Sequence, residues 1–381
     1  MTVTQSPQWP ASWDETTKGT LQAFQQFLSI PDAITMRNVL SSLPAAPLPD
    51  DVVITQVTIP RIATKLEAKV DGDVAAEWQE STTLTDATKS SAPVCIYFHG
   101  GGYIVGSKEG GRPNTTILAQ NGVRVLSINY RLGPEVLHPA AITDAYSTYK
   151  WVLSQGVKAE KVVVSGDSAG AGLTYALALY LRDQKEEMPA GLAPTTPFVE
   201  LSLNSPSVNL GDEFTACMLV HTENAYTLKV MRDGYIKDTD IVKTDPYISP
   251  LLATPGGLPP QYITTGTCDR LLAEDLALTL TRFKSETIIF ELYDDMIHDF
   301  QLLTFLPSAQ KALVRQATFM KDVTTAGKKL SGSLTHFGPD GEKKGDLSEA
   351  DLKSRLKDLV KRWKAVEPKA EGLAIYEKAS A

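Results

Sequence analysis

Five residues, Gly166-Asp167-Ser168-Ala169-Gly170, place the tightest limit on how this chain can fold. They follow a dense apolar run, Val162 to Ser165, and open a long segment of helical character, Ala169 to Arg182. The chain must therefore leave a strand, turn sharply and enter a helix within a few residues. Glycine at both ends of the turn permits this, because it has no Cβ to strike neighbouring backbone. The serine between them stands on a strained turn with its hydroxyl raised above the strand end, which is the context a G-x-S-x-G segment needs. The helix N-terminus behind it turns backbone N–H groups towards any negative charge that develops there.

The rest of the chain supplies a sheet for this turn. Val52 to Ile59 alternates like a half-exposed strand, while Val94 to Phe98 and Val123 to Ile128 are short, dense and β-branched, as buried parallel strands are. Gln261 to Thr265 and Thr287 to Leu292 read as two more strands, with helices over Tyr146 to Leu153 and Glu274 to Phe283. Strands alternating with helices imply an α/β protein with a mainly parallel, doubly wound sheet.

Three segments stand apart from this rhythm. Residues 1–50 read as a helical accessory: Leu21, Phe24, Phe27 and Leu28 recur at helical spacing before a Pro-interrupted stretch from Leu43 to Asp50. That apolar face suits packing on the main domain, or a membrane surface. Within the core of residues 51–323, residues 202–250 are polar and irregular, with helix around Glu223 to Tyr235; they read as an insertion above the sheet. Residues 324–381 form a tail. Thr324 to Gly345 is rich in Lys, Gly, Ser and Asp and reads as a linker. Ser348 and Asp351 then form a capping-box pattern. The helix it opens carries Leu352, Leu356, Leu359, Val360, Trp363 and Val366 on one face, to be buried on the main domain or against a second copy in a homodimer.

A serine nucleophile needs a base and an acid to orient it. On a sheet with such an elbow they follow in the order Ser, Asp or Glu, His, each on a loop after a later strand. His298 lies just past the strand Thr287 to Leu292. Of the five histidines, His138 and His221 come too early and His336 falls in the tail, so His298 is the candidate base. His99 ends a buried strand and reads as a structural residue holding the glycines after it. Asp269, just past the strand Gln261 to Thr265, is the candidate acid, with Asp275, Asp294 and Asp295 also nearby. Asp167 reads as a local hydrogen-bond acceptor. The run His99-Gly100-Gly101-Gly102-Tyr103 follows the strand Val94 to Phe98, and its glycines let backbone N–H groups face an oxyanion. It has neither the Lys-Ser/Thr ending of a P-loop nor the GxGxxG order of a dinucleotide site.

Charge and cysteine content narrow the partners. A net charge of −8 argues against nucleic acid, whose phosphates need clustered Lys and Arg. No stretch approaches the ~20 apolar residues of a membrane span, so stable membrane insertion is not expected. Cys95, Cys217 and Cys268 are too few and too scattered for a disulfide framework or a zinc site. Cys268, beside Asp269, has no base of its own and reads as a packing residue. The first ten residues lack the pattern of a secretory signal, and reduced thiols suit a cytoplasmic location.

The ordered motifs together resemble the hormone-sensitive-lipase family of α/β-hydrolases, also called family IV esterases. The likeness runs over about residues 90–305: His99 to Tyr103, Tyr130 to Glu135, Pro139 to Ala141 with Asp144, the Gly166–Gly170 turn, Asp245 to Leu251, and the segments of Asp269 and His298. It implies the α/β-hydrolase fold with a helical cap, built from the N-terminal helices and an insertion at about 202–245. It implies catalytic Ser168, Asp269 and His298, oxyanion donors from Gly101, Gly102 and Ala169, and no metal or organic cofactor. The expected substrate is a small-molecule carboxylic ester of short-to-medium acyl chain. The same acyl-enzyme also suits an acyltransferase or a natural-product deacylase, and the same superfamily includes non-catalytic small-molecule receptors. Pro194 to Phe198 departs from the family's usual strand and turn, which touches the cap and pocket rather than the three catalytic candidates.

Overall fold

The computed structural model describes residues 8–30, 32–42, 47–211, 213–219 and 227–381. Among them ten strands form one sheet: β1 Val52–Pro60, β2 Asp73–Ser81, β3 Val94–Phe98, β4 Arg124–Asn129, β5 Val162–Asp167, β6 Gly191–Thr195, β7 Gln261–Gly266, β8 Ile288–Tyr293, β9 Ser333–Phe337 and β10 Lys343–Asp346. Their order is β1-β2-β4-β3-β5-β6-β7-β8-β9-β10. Pairing is parallel from β4 across to β9; β1 and β2 at one edge and β10 at the other are antiparallel. The sheet is therefore the expected mainly parallel, doubly wound one, an α/β-hydrolase fold.

Its central strands are buried on both faces, which is why they read as continuous apolar runs. All five residues of β3 are buried, and they alternate between two cores. Cys95 and Tyr97 pack with Leu118 on the helix Arg112–Gln120 and with Leu313 and Phe319 on the helix Pro307–Val323. Ile96 and Phe98 face the other way, towards the helices Ala140–Ser154 and Ala169–Gln184.

Two core strands escape the sequence reading. β2 buries Glu77 and Gln79, residues that argue against an inner strand. They are tolerated because Arg112 holds both oxygens of Glu77, at 2.9 and 2.8 Å, with Lys108 3.3 Å away. β6 is short, contains Pro194, and pairs with β7 at only two positions. The proline removes a ladder donor, which ordinarily marks an edge strand.

The tail differs from its expected form. Thr324 to Gly345 is not a plain linker, since it carries β9 and β10 and extends the sheet. Its polar composition hid a hairpin. Leu334 and Phe337 are the buried residues of β9, and Pro339-Asp340-Gly341, with Gly341 at φ +75°, makes the turn into β10. The capping box at Ser348 and Asp351 forms, starting the helix Glu349–Val366. That helix buries Leu352, Leu356, Leu359 and Val360 within its own chain, against the helices Leu272–Arg282 and Ala374–Ser380. Val366, read as part of the same face, is 67% exposed because the helix has run past its neighbours.

At the N-terminus two helices form, Glu15–Leu28 and Ala33–Ser42. Leu21 and Leu28 are buried, and Phe24 and Phe27 are half-buried against the same core. Part of the Leu43–Asp50 stretch, His221, and the residues Glu223 to Tyr226 of the expected insertion helix lie outside the described residues. The insertion contributes the helices Pro206–Asn209 and Thr227–Tyr235. Side chains join it to the N-terminal helices: Gln25 Nε2 donates to the carbonyls of Thr215 and Cys217, each at 2.8 Å. Among the described residues no helix is long and apolar enough to cross a membrane.

Candidate active site

Ser168 sits between β5 and its helix with φ 51° and ψ −116°, a conformation non-glycine residues avoid. The turn is wedged against the end of β3. A Cβ on Gly170 would lie 1.9 Å from the Phe98 carbonyl oxygen, and one on Gly166 would lie 2.5 Å from it. Glycine is thus required at both positions, and the helix N-terminus is brought hard against the strand that leads into the glycine loop.

Two further loops converge on this serine. Gly266 ends β7 so close to the loop after β8 that a Cβ there would lie 2.0 Å from the Met296 carbonyl oxygen. Cys268 N donates to that same carbonyl at 2.9 Å, and Asp295 N donates to Thr267 Oγ1 at 2.9 Å. Zipped together in this way, the loops bring Asp269 to His298. His298 Nδ1 is 3.2 Å from each Asp269 carboxylate oxygen, and Nε2 is 2.7 Å from Ser168 Oγ. A carboxylate only accepts, so in the neutral ring Nδ1 carries the hydrogen and Nε2 is free to accept from Ser168. All three residues are buried: Ser168 is 6% exposed, His298 1% and Asp269 0%.

Two of the carboxylates near Asp269 are engaged elsewhere. Asp294 binds His336 Nε2 and Lys344 Nζ, each at 2.7 Å, and Asp295 accepts from Ser12 Oγ at 2.6 Å. Asp275 is buried on the helix Leu272–Arg282 and makes no ion pair with His298. His138 lies beside Asp245, with Nε2 3.9 Å from its carboxylate.

The glycine loop is held from below by Asp167. Its Oδ2 accepts from Gly100 N at 2.9 Å, while its Oδ1 accepts from Tyr97 Oη, which in turn accepts from Asn114 Nδ2 at 2.9 Å. Burial pushes the Asp167 carboxyl up, and the Tyr97 and Gly100 donors work against it. His99 is structural: its Nδ1 donates to the Gly100 carbonyl at 2.7 Å and its ring stacks on Tyr130 at 4.3 Å. Burial pulls its pKa down to about 4, so it stays neutral. Gly101 and Gly102 adopt φ +109° and +61°, and among the described residues their N–H groups donate to no protein acceptor. Ala169 is the first residue of its helix, where a backbone N–H has no intrahelical partner.

The N-terminal helices and the insertion close over this loop. Met231 packs so tightly that a Cβ on Gly102 would come within 2.2 Å of its Cγ. Tyr235 stacks on Tyr103 at 3.9 Å, and the Gly234 carbonyl oxygen would lie 2.0 Å from a Cβ on Gly133. Arg37 reaches from the helix Ala33–Ser42 to the carbonyls of Ile104 and Gly133, at 2.7 and 2.5 Å, and to Glu135 at 2.7 Å. Neither Arg37 nor Met231 could be found from the sequence, because their partners are more than sixty residues away. Among the described residues no cluster of His, Cys, Asp and Glu has the arrangement of a metal site.

Comparison with known proteins gives the family. Residues 95–302 match a family model described as the alpha/beta hydrolase fold. An esterase of Acinetobacter venetianus is 32% identical over 236 residues, covering 61% of this chain and 76% of that protein. An acetyl-hydrolase of Streptomyces hygroscopicus is 31% identical over 261 residues, covering 68% of this chain and 83% of the relative. The chain belongs to the hormone-sensitive-lipase family of α/β-hydrolases. It is a hydrolase of the carboxylesterase type. The crystal structure of the esterase EstE5 soaked with p-nitrophenyl butyrate superposes with a TM-score of 0.69 at 28% identity, covering 82% of this chain and 100% of EstE5. An esterase of the bacterial hormone-sensitive lipase family gives a TM-score of 0.69 at 26% identity, with the same coverage. The hairpin of β9 and β10 and the helices after it lie beyond the residues of the family match.

Proposed function

We propose that this family member hydrolyses small carboxylic esters of short-to-medium acyl chain through an acyl-enzyme on Ser168. The observation that carries the reading is the chain of contacts Ser168 Oγ, His298 Nε2, His298 Nδ1, Asp269, closed at 2.7 and 3.2 Å on a strained elbow. His298 takes the Ser168 proton as Oγ attacks the ester carbonyl, and Asp269 stabilises the imidazolium. The N–H groups of Gly101, Gly102 and Ala169 receive the oxyanion; loss of one such donor costs about 2.7–4 kcal/mol. His298 then gives its proton to the leaving alkoxide, and the alcohol departs. Water repeats the sequence on the acyl-enzyme and releases the acid. Asp167 serves by holding Gly100, and so the oxyanion loop, to the elbow.

The N-terminal helices and the insertion are the cap in this reading. Met231 and Tyr235 restrict space directly over the oxyanion loop, which favours small acyl groups over bulky triglycerides. The names of the relatives, an acetyl-hydrolase among them, agree with that size. Three free cysteines, two of them buried, suit a reducing, cytoplasmic setting.

The test is a chain-length series of p-nitrophenyl esters with the Ser168→Ala variant as control. The expected result is a kcat/KM maximum at short chains and no burst of p-nitrophenol from Ser168→Ala. A burst retained by that variant would remove Ser168 from the mechanism. A product shifted to a new ester by added alcohol would replace hydrolysis by acyl transfer.

A further inference from the structure

His298 is faced by a second carboxylate on the side opposite Asp269. Asp299 Oδ2 lies 3.4 Å from Nε2, the ring nitrogen that also meets Ser168 Oγ at 2.7 Å. Asp299 is 5% exposed, so this contact is made away from solvent screening. Its backbone is in the left-handed region, φ 51° and ψ 35°, which glycine would occupy without strain. Its Oδ1 accepts from Thr196 Oγ1. Thr196 itself has φ 41°, an outlying conformation for a β-branched residue. Two residues on separate loops, after β6 and after β8, thus both hold disfavoured backbone, and the result is a carboxylate aimed at Nε2. Strain retained next to a reacting group calls for a role there.

We propose that Asp299 is a positioning residue for the base: its carboxylate holds the imidazolium from the Nε2 side and sets the pH at which His298 becomes free to take the Ser168 proton. The proposal rests on His298 acting as the base of Ser168. The groups facing the imidazole are Asp269 from the loop after β7, Asp167 from the elbow, and Asp299. Those facing Asp299 are His298, Asp167, Asp269, Asp275, Tyr97 and the Thr196 hydroxyl. Burial disfavours charge on His298, but the Asp299 carboxylate and then Asp269 outweigh it and carry its pKa up to about 9. Burial likewise raises Asp299, with the imidazolium working against it. Because the base must be neutral to accept a proton, the sign is fixed: kcat/KM falls as pH drops, and removing the Asp299 charge lets His298 stay neutral to lower pH.

The test is kcat/KM for p-nitrophenyl acetate against pH, corrected for spontaneous hydrolysis, with full-length wild type and Asp299→Asn. The acid limb is expected to move down by about one to three pH units, the usual reach of a charge at this range. Asp299→Gly, which relieves the backbone, is expected to move it the same way and serves if the asparagine variant does not fold. Thr196→Val should shift it less and in the same direction, since Asp299 loses the donor that favours its charge. A limb that stays at the wild-type pH in a folded Asp299 variant overturns the proposal. Ester cleavage that survives in Ser168→Ala would instead overturn Ser168 as the nucleophile and His298 as its base, so the two failures are distinguishable.

Discussion

The floor of the active site and the C-terminal tail are held in contrasting ways. At the floor, backbone meets backbone: Gly166 and Gly170 lie against the Phe98 carbonyl, and Gly266 against the Met296 carbonyl. In the tail, side chains meet side chains: Leu352, Leu356, Leu359 and Val360 pack on the helix Leu272–Arg282. Backbone contacts of this kind leave nothing that can rotate away, so an added methyl must move a strand or a loop. Side-chain packing yields in proportion to the volume changed. The floor fixes geometry, and the tail contributes stability.

The strongest way to break that contrast is Gly170→Ala. Its Cβ would lie 1.9 Å from the Phe98 carbonyl oxygen and 2.6 Å from that of His99, so the elbow must move relative to the oxyanion loop. Displacement of reacting groups by about 1 Å can cost about 10²-fold in rate. The expected outcome is at least that loss of kcat/KM, with the protein still folding or failing to accumulate. Wild-type activity from Gly170→Ala would mean the floor is not rigid.

Leu356→Ala probes the other region. Leu356 is fully buried, and removing it is expected to cost about 2–5 kcal/mol in denaturant unfolding. Activity per folded molecule should stay near that of wild type, since the residue touches none of Ser168, Asp269 or His298. A large fall in kcat/KM with stability intact would make the tail part of the catalytic apparatus and dissolve the contrast.

The same contrast explains what could be read from the sequence. Ser168 and His298 were legible because the elbow has its own glycine signature and few histidines fall after it. Asp269 was legible from its place just past a strand, but less uniquely among its acidic neighbours, because what brings it to His298 is the approach of Gly266 to Met296, a contact between two loops. β2 was hidden by Glu77 and Gln79, whose burial is intelligible only once Arg112 and Lys108 arrive from another part of the chain. The hairpin of β9 and β10 was hidden by composition, although Pro339-Asp340-Gly341 carried the signal of its turn. Asp299 stood in plain sight beside His298. Its left-handed backbone and its contact with Thr196 are not properties of sequence position.

The smallest expected effect falls at the boundary between the two regions. The helix Leu272–Arg282 begins just after Asp269 and also receives the tail helices, and it buries Asp275. Burial pushes the Asp275 carboxyl well above its ordinary range, and the neighbouring Asp269 and Glu274 push it the same way. A carboxyl raised on folding binds its proton more tightly in the native state, so it costs stability as pH rises from the ordinary carboxylate range towards the raised value. Asp275→Asn removes that cost. Its unfolding free energy relative to wild type, from denaturant titrations, should climb as pH rises from mildly acidic to alkaline, by a slope of at most about 1.4 kcal/mol per pH unit. A difference that stays flat over that range would mean Asp275 is solvated in solution, and that the tail does not seal the back of the site as tightly as its packing on this helix implies.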